Sequence, residues 1–214
     1  GRNASYAGTN AQWWFMFLLD RVTVYDVEVV DYPGDFGGAM MFTSCINAKV
    51  SNCHMQQNIA YNFQYGISFH SCCQDCSITN CTAVGDWRHA FEAGSGETGT
   101  NEEGVSRNIV FTGCTATGGS QNCFDTHPEG EGIHFIGCLA MGTNDGGGIK
   151  LRSKYSTAVG CRVQNVNQST SAQHAIMITD DANDCLISNC YVINCTAEGI
   201  KVKDGVDGTI IEGC

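Results

Sequence analysis

The segment of residues 107–138, RNIVFTGCTATGGSQNCFDTHPEGEGIHFIGC, decides the fold because it contains two copies of one short pattern. In each copy alternate residues are apolar, as Ile109 and Phe111 are, and a glycine and a cysteine follow, as at Gly113 and Cys114. Apolar residues with a period of two are typical of a β-strand. Glycine and asparagine tolerate the left-handed backbone conformation, so the residue before the cysteine predicts a tight bend between two strands.

The pattern repeats along the chain, and its cysteines lie 23 to 33 residues apart. A further apolar stretch completes each repeat, as in Ala90–Ala93 and Gly148–Leu151. Three short strands per repeat predict coils that stack strand on strand at about 4.8 Å. The copies are Val50–Cys53, Ile78–Cys81, Phe111–Cys114, Phe135–Cys138, Ala158–Cys161, Ile187–Cys190 and Ile211–Cys214, and Val24–Val27 fits the same frame.

We therefore predict an all-β fold, a single-stranded right-handed parallel β-helix of about eight coils with three short strands in each coil. The β-helix is expected over residues 14–214, and residues 1–13 are expected to form an N-terminal leader or cap. Met16 and Met41 are expected to lie opposite each other in the first two coils. Because the chain opens on glycine and closes on Cys214, we expect it to be a fragment of a longer chain.

The 14 cysteines are expected to stay reduced inside the coils. Seven of them share one inward register position, and Cys76 and Cys185 share a second. Side chains stacked in parallel register point the same way rather than at each other, which disfavours disulfides, and buried cysteine packs as a small hydrophobe. Cys73 and Cys76 have a metal-like spacing, but no second pair follows at zinc-ribbon distance, so we predict no metal there.

Composition excludes several classes of function. The 214 residues carry a formal net charge of -11, which disfavours nucleic acid as a partner because phosphates are bound by cations. No apolar run reaches the roughly 18 residues that a membrane helix needs, so we expect no membrane insertion. No signal peptide is visible. Charged residues make up only 15% of the chain. The polar uncharged composition favours an extracellular or virion surface that meets sugars.

Ionisable side chains collect on the outward side of the third strand of each coil. The first outward column is expected to hold Met16, Met41, Ser68, Glu92, Asp125, Lys150, Met177 and Lys201. A second outward column is expected to hold Leu18, Thr43, His70, Gly94, His127, Arg152, Thr179 and Lys203, and the column just before the strand holds Tyr65, His89, Asn122, Gly147, His174 and Glu198.

This face is the candidate site. Glu92 and Asp125 lie one coil apart, and two close carboxylates are expected to raise one pKa, which would supply the acid and the base or nucleophile of a glycosidase. His127 would orient them. Lys150 and Arg152 would instead neutralise a uronate or act in an eliminative lyase. The alternative is a solvated salt-bridge ladder.

As substrate-binding residues we assign Trp87, His89, Asn122, His70 and His174, although Trp87 is equally compatible with packing.

Two loops flank this face. Residues 94–107 form a long insertion beside Glu92, which would wall one side of the site or be a tolerated surface insertion. The acidic segment 180–184 has oxygen ligands suited to Ca²⁺, but a polar turn is the simpler interpretation. We predict no cofactor and no metal apart from that Ca²⁺ alternative.

The bends, together with residues 88–92 (RHAFE), 104–110 (GVSRNIV), 124–127 (FDTH) and 132–138 (GIHFIGC), resemble the pectate-lyase-like right-handed β-helix superfamily. Within it they look most like bacteriophage tail and tailspike proteins. The resemblance covers residues 14–214. It implies a homotrimer, in a phage virion or otherwise extracellular, that contacts other tail proteins and binds and often cleaves a bacterial surface polysaccharide.

The polygalacturonase motifs and the pectate-lyase calcium motif are not reproduced in this sequence. The prediction is therefore a polysaccharide-binding and polysaccharide-cleaving tail protein, with a glycoside hydrolase favoured. A polysaccharide lyase of the same fold, and a non-catalytic glycan-binding or structural β-helix, are the two alternatives.

Overall fold

The structure, a computed structural model, describes residues 15–17, 19–30, 37–57, 64–94, 104–128, 130–142, 146–167, 174–180, 182–196 and 198–214. The predicted leader, residues 1–13, lies outside these ranges, as do residues 95–103 of the predicted insertion and Asp181 of the acidic segment. β-Strands are the only regular secondary structure among the described residues. None of them belongs to a helix long and apolar enough to span a membrane.

The strands are short, as the alternating pattern predicts. The first eight are β1 Phe15–Phe17, β2 Thr23–Tyr25, β3 Glu28–Val30, β4 Gly37–Thr43, β5 Lys49–Ser51, β6 His54–Gln57, β7 Gln64–His70 and β8 Ser77–Thr79. The next eight are β9 Thr82–Gly85, β10 His89–Ala93, β11 Arg107–Thr112, β12 Thr115–Thr117, β13 Asn122–Thr126, β14 Glu131–Ile136, β15 Leu139–Met141 and β16 Gly147–Leu151. The last seven are β17 Thr157–Val159, β18 Arg162–Gln164, β19 Ile176–Ile178, β20 Leu186–Ser188, β21 Tyr191–Ile193, β22 Ile200–Val202 and β23 Ile210–Glu212.

Every third strand joins the same sheet, and all neighbours in a sheet are parallel. The first sheet has the order β1-β4-β7-β10-β13-β16-β19-β22 and the second β2-β5-β8-β11-β14-β17-β20-β23. The third sheet has the order β3-β6-β9-β12-β15-β18-β21. The fold is thus the predicted parallel β-helix with three strands per coil. The described residues make seven complete coils, with β1 and β23 in partial ones, slightly fewer than the eight predicted. The right-handed sense stays a prediction.

The tight bends lie where the sequence predicts them. The residue before each repeat cysteine has a positive φ, as at Asn80 (53°) and Gly113 (61°). Only glycine and a few residues such as asparagine adopt this conformation without large strain, so it accounts for the restriction to those residue types. The other members of this set are Asn52, Gly137, Gly160, Asn189 and Gly213, and Asp26 has the same conformation before Val27.

The core is a continuous stack inside the coils. Rings stack between coils of the first sheet, as Phe91 and Phe124 do with centroids 5.1 Å apart. Eleven of the fourteen cysteines are buried, including Cys76 and Cys185, which are inward as predicted, and Cys72 and Cys195 are partly buried. This burial confirms the stacked cysteines except at Cys214, which was expected to point inward and is exposed; all fourteen are free.

The register of the first sheet agrees with the predicted columns except at its first strand. Glu92 pairs with Asp125, and Asp125 pairs with Lys150. In β1, however, Phe15 pairs with Met41, so the expected Met16–Met41 pairing is wrong by one residue. Since alternation has a period of two, an apolar run such as WWFMF fits either register and does not fix one.

Candidate functional site

Glu92 lies at the centre of a buried polar cluster on the outer side of the first sheet. Its side chain is 0% exposed. Oε2 accepts a hydrogen bond from Ser68 Oγ and lies 3.0 Å from His70 Nε2. Oε1 lies 3.3 Å from His127 Nε2. Because β7 and β10 are adjacent in register, the fold itself brings Ser68 opposite Glu92. The carboxylate is therefore held between two imidazoles and a hydroxyl.

Asp125, one coil further on, has its own set of partners. It is 1% exposed, and its Oδ2 accepts a 2.8 Å hydrogen bond from Asn122 Nδ2. Oδ1 accepts a 2.9 Å bond from Arg152 Nε, which also donates to the backbone oxygen of Thr126. His89 Nδ1 lies 3.3 Å from Oδ2. Asp125 thus fixes Arg152 and one imidazole, whereas Glu92 fixes the other two.

The cluster contains three imidazoles, and His127 lies beside each of the other two. The ring of His127 lies 6.3 Å, centroid to centroid, from both His70 and His89. Tyr65 packs on His70 and His89 with centroids 5.6 Å away, and Arg88 donates to its hydroxyl. His127 can pack against the backbone of residue 94 because that residue is glycine. A Cβ at position 94 would lie 2.2 Å from the Cβ of His127.

Burial and charge shift the pKa values in this cluster. Burial alone would raise the pKa of Glu92, but attraction to His70 and His127, with hydrogen bonds from His70 and Ser68, outweighs it and lowers the pKa to about 2. Burial lowers the pKa of His89 to about 4 and also lowers that of His127, against the attraction of the carboxylates. At neutral pH the cluster therefore combines an ionised Glu92 with neutral imidazoles at His89 and His127.

This finding corrects the expectation of a carboxylate pair in which one member holds a proton. The pKa of Glu92 is shifted downward, away from the value that a proton-holding carboxyl group needs. The two side chains turn to different partners, Glu92 to His127 and Asp125 to Arg152, and not to each other. The expectation of a solvated charge ladder is wrong as well, because both carboxylates are buried.

The cations at this face are more accessible than the carboxylates. The Arg152 side chain is 18% exposed, against 11% for His127 and 12% for His70. Lys150 is half-buried, and burial lowers its pKa. A ligand lying on this face would therefore meet imidazoles and cations, with Glu92 and Asp125 behind them.

The remaining predicted site residues take several positions. His174 lies three coils from His89 in the same sheet, where its Nδ1 contacts Glu198 at 2.8 Å. Trp87 is fully buried in the core and donates from Nε1 to the Val84 oxygen, so packing describes it and stacking on a sugar is wrong. A tryptophan just before a strand has no alternation to place it, so the sequence left both options open.

Sequence reasoning did not assign Ser68, Tyr65 or Gly94 to the site. Each occupies a predicted outward column beside a residue that was assigned: Ser68 pairs with Glu92, and Tyr65 pairs with His89. Column membership was therefore the available signal.

The Ca²⁺ alternative gains no support from the described part of the acidic segment. Asn183 Oδ1 accepts from the backbone N–H of Asp207, a residue 24 positions further along the chain. Over the residues that the structure describes, no group of three or more His, Cys, Asp or Glu side chains is arranged to hold a metal ion.

Of the comparisons with known proteins, the one with solved structures finds a match, and that match bears on the fold alone. No protein-family model and no curated protein matches the chain. Among solved structures it is similar to ORF18 of Geobacillus virus E2, with a TM-score of 0.55 and 13% sequence identity. The match covers 96% of this chain and 53% of that one, so the chain spans about half the length of this neighbour. The chain therefore has a parallel β-helix fold that a phage protein shares.

Proposed function

We propose that the chain is part of a phage tail or tailspike protein whose first sheet binds an acidic bacterial surface polysaccharide and cleaves it by elimination. In this proposal the protein is a homotrimer, it contacts other tail proteins and it acts on the virion or elsewhere outside the cell. The phage-protein neighbour with the same fold supports the setting. The buried ionised cluster supports the chemistry.

The observation that carries the proposal is the contact between the ionised Glu92 and His127 on the outer side of a sheet. Burying charge is costly, and a sheet needs only an apolar or solvated outer face to be stable. Perturbed ionisable groups that converge in this way are typical of functional sites. A carboxylate behind an imidazole orients the ring and stabilises its protonated form.

The proposed roles follow from which atoms remain available. His127 Nε2 faces Glu92, which leaves Nδ1 to act as the base towards the sugar. Burial keeps this imidazole neutral at neutral pH, as a base requires. Arg152, fixed by Asp125, and Lys150 would bind the uronate carboxylate and stabilise the charge that develops on it.

The reaction is a β-elimination. His127 takes the proton from the carbon that bears the uronate carboxylate, the electron pair left behind forms a carbon–carbon double bond, and the glycosidic carbon–oxygen bond on the neighbouring carbon breaks. The departing oxygen takes up the proton from His127 and becomes a hydroxyl group. Elimination is favoured over hydrolysis because a glycosidase needs a protonated carboxyl group at the glycosidic oxygen, whereas Glu92 is ionised and both carboxylates are buried.

The test is a cleavage assay on purified capsular polysaccharides and lipopolysaccharides. Cleavage is monitored by the ultraviolet absorbance of the products and by the number of reducing ends formed. Elimination by the parent chain is expected to produce both signals, since the product is an unsaturated uronide. His127→Asn is expected to lower the rate at least about a hundredfold, the usual scale for a lost acid–base group. His134→Asn is the matched control, because His134 is a half-buried histidine on the second sheet, and it is expected to keep full activity.

Other outcomes would replace the proposal. Reducing ends without ultraviolet absorbance, lost in both Glu92→Gln and Asp125→Asn, would establish the hydrolase that the sequence favoured. Glycan binding with neither signal would establish a non-catalytic binding protein.

A further inference from the structure

Two pairs of cations occupy the outer face of the first sheet, two coils apart. Lys150 of β16 pairs in register with Met177 of β19, and Met177 pairs in turn with Lys201 of β22. In the next outward column Thr179 bonds to the strand of Arg152 through the Leu151 oxygen, and Lys203 bonds to the Ile178 oxygen. One rung therefore carries Lys150 and Arg152, and the second rung beyond it carries Lys201 and Lys203.

Each pair contains one cation with an ion pair and one without. Arg152 contacts Asp125 at 2.9 Å, and Lys201 contacts Glu198 at 3.5 Å. Lys150 and Lys203 form no ion pair with any residue that the structure describes. Lys150 is half-buried and is attracted to Asp125 and Asp180 without forming an ion pair with either. Each pair therefore has a positive charge left for an anionic ligand.

The rung between the two pairs is neutral and closed. Met177 is 2% exposed and Thr179 is 1% exposed, so neither offers a charge to a ligand. The two cation pairs are separated by two steps of about 4.8 Å between parallel strands. This separation is about the length of one disaccharide in an extended polysaccharide.

We propose that the polysaccharide runs along the β-helix axis and carries a carboxylate on every second sugar, with one carboxylate at Lys150 and Arg152 and the next at Lys201 and Lys203. This inference rests on the proposed function, and it adds the charge spacing of the substrate. The intervening neutral sugar spans the closed middle rung that holds Met177 and Thr179. His174, held by Glu198 beside Lys201, lies at the same end of the face.

The experiment measures calorimetric affinities of the chain for three tetrasaccharides. A hyaluronan tetrasaccharide carries a carboxylate on every second sugar, its methyl ester at one uronate keeps a single carboxylate, and a tetragalacturonate carries one on every sugar. The hyaluronan tetrasaccharide is expected to bind most tightly. Lys203→Met is expected to weaken its binding about tenfold, the scale of one charge-assisted hydrogen bond, and to leave the mono-ester unaffected.

The matched control is Lys49→Met, which removes the same charge from an exposed position in β5 of the second sheet and is expected to change none of the affinities. Equal affinities of Lys203→Met and the parent chain for hyaluronan, or tighter binding of tetragalacturonate, would overturn the inference. If cleavage in the ultraviolet assay persists in either case, only the charge spacing fails. If the parent binds neither acidic tetrasaccharide and cleaves no acidic glycan, the proposed function fails as well.

Discussion

The first and second sheets of this β-helix differ in what lies on their outer faces. In the first sheet β10 and β13 are buried at all five of their positions, whereas in the second sheet β8 and β17 are buried only at their central residue. The inner faces are alike, since both pack apolar side chains into one core. The difference shows that the first sheet withdraws ionised groups from water, which stability alone does not require.

The largest effect is expected where a buried ion pair of the first sheet loses one partner. Asp125→Ala leaves Arg152 without its carboxylate and leaves Asn122 and His89 facing a gap. We expect unfolding free energy to fall by about 3 kcal/mol, the lower end for a broken buried pair. Urea unfolding followed by circular dichroism measures it.

The control for this prediction is Glu28→Ala, which removes an exposed carboxylate from β3 of the third sheet. It is expected to change stability by no more than about 0.5 kcal/mol. Equal losses in Asp125→Ala and Glu28→Ala would mean that the outer face of the first sheet is solvated like the others.

A smaller effect is expected in the core that all three sheets share. Cys138→Ser places a hydroxyl in an apolar column where Cys138 is 1% exposed, and it is expected to cost about 1–3 kcal/mol. The same substitution at the exposed Cys214 should be close to neutral. Melting temperatures of the two variants make the comparison, and an unchanged value for Cys138→Ser would contradict burial of the column.

Acid should destabilise the chain through the first sheet. His89 has a pKa of about 4 in the folded chain and an ordinary value of 6.5, so the unfolded chain binds more protons between these values and stability falls as the pH drops from 6.5 to 4. For Glu92 the corresponding window runs from 4.5 to about 2, in the same direction. His89→Asn should reduce the pH dependence of the unfolding free energy between pH 6.5 and 4, and Glu92→Gln should reduce it between pH 4.5 and about 2. Unfolding measured across the pH range checks this, and unchanged slopes would contradict it.

The sequence was sufficient for the coils and for the columns. A period near 25 residues, two-residue alternation and a bend residue before each cysteine place Glu92, Asp125 and Lys150 in one register, as the structure does. It was insufficient for the burial and ionisation of Glu92. Alternation gives the side of the sheet on which a residue lies, but not whether neighbours such as Ser68, His70 and His127 enclose it.

The same reasoning explains the two failures at particular residues. Trp87 precedes its strand, so no alternation assigned it to the core. The β1 register was ambiguous because its apolar residues are consecutive. Both errors arise where the period of two gives no information, and neither moves the candidate site.

The central claim is that Glu92 is ionised between two imidazoles in the first sheet, and carbon-13 NMR of labelled glutamate side chains tests it most directly. Glu92→Gln identifies the resonance, and a pH titration then follows its ionisation. The account predicts that Glu92 stays ionised from neutral pH to below its ordinary pKa of 4.5. Protonation of Glu92 above that value would contradict the account and would restore the acid that a glycosidase requires.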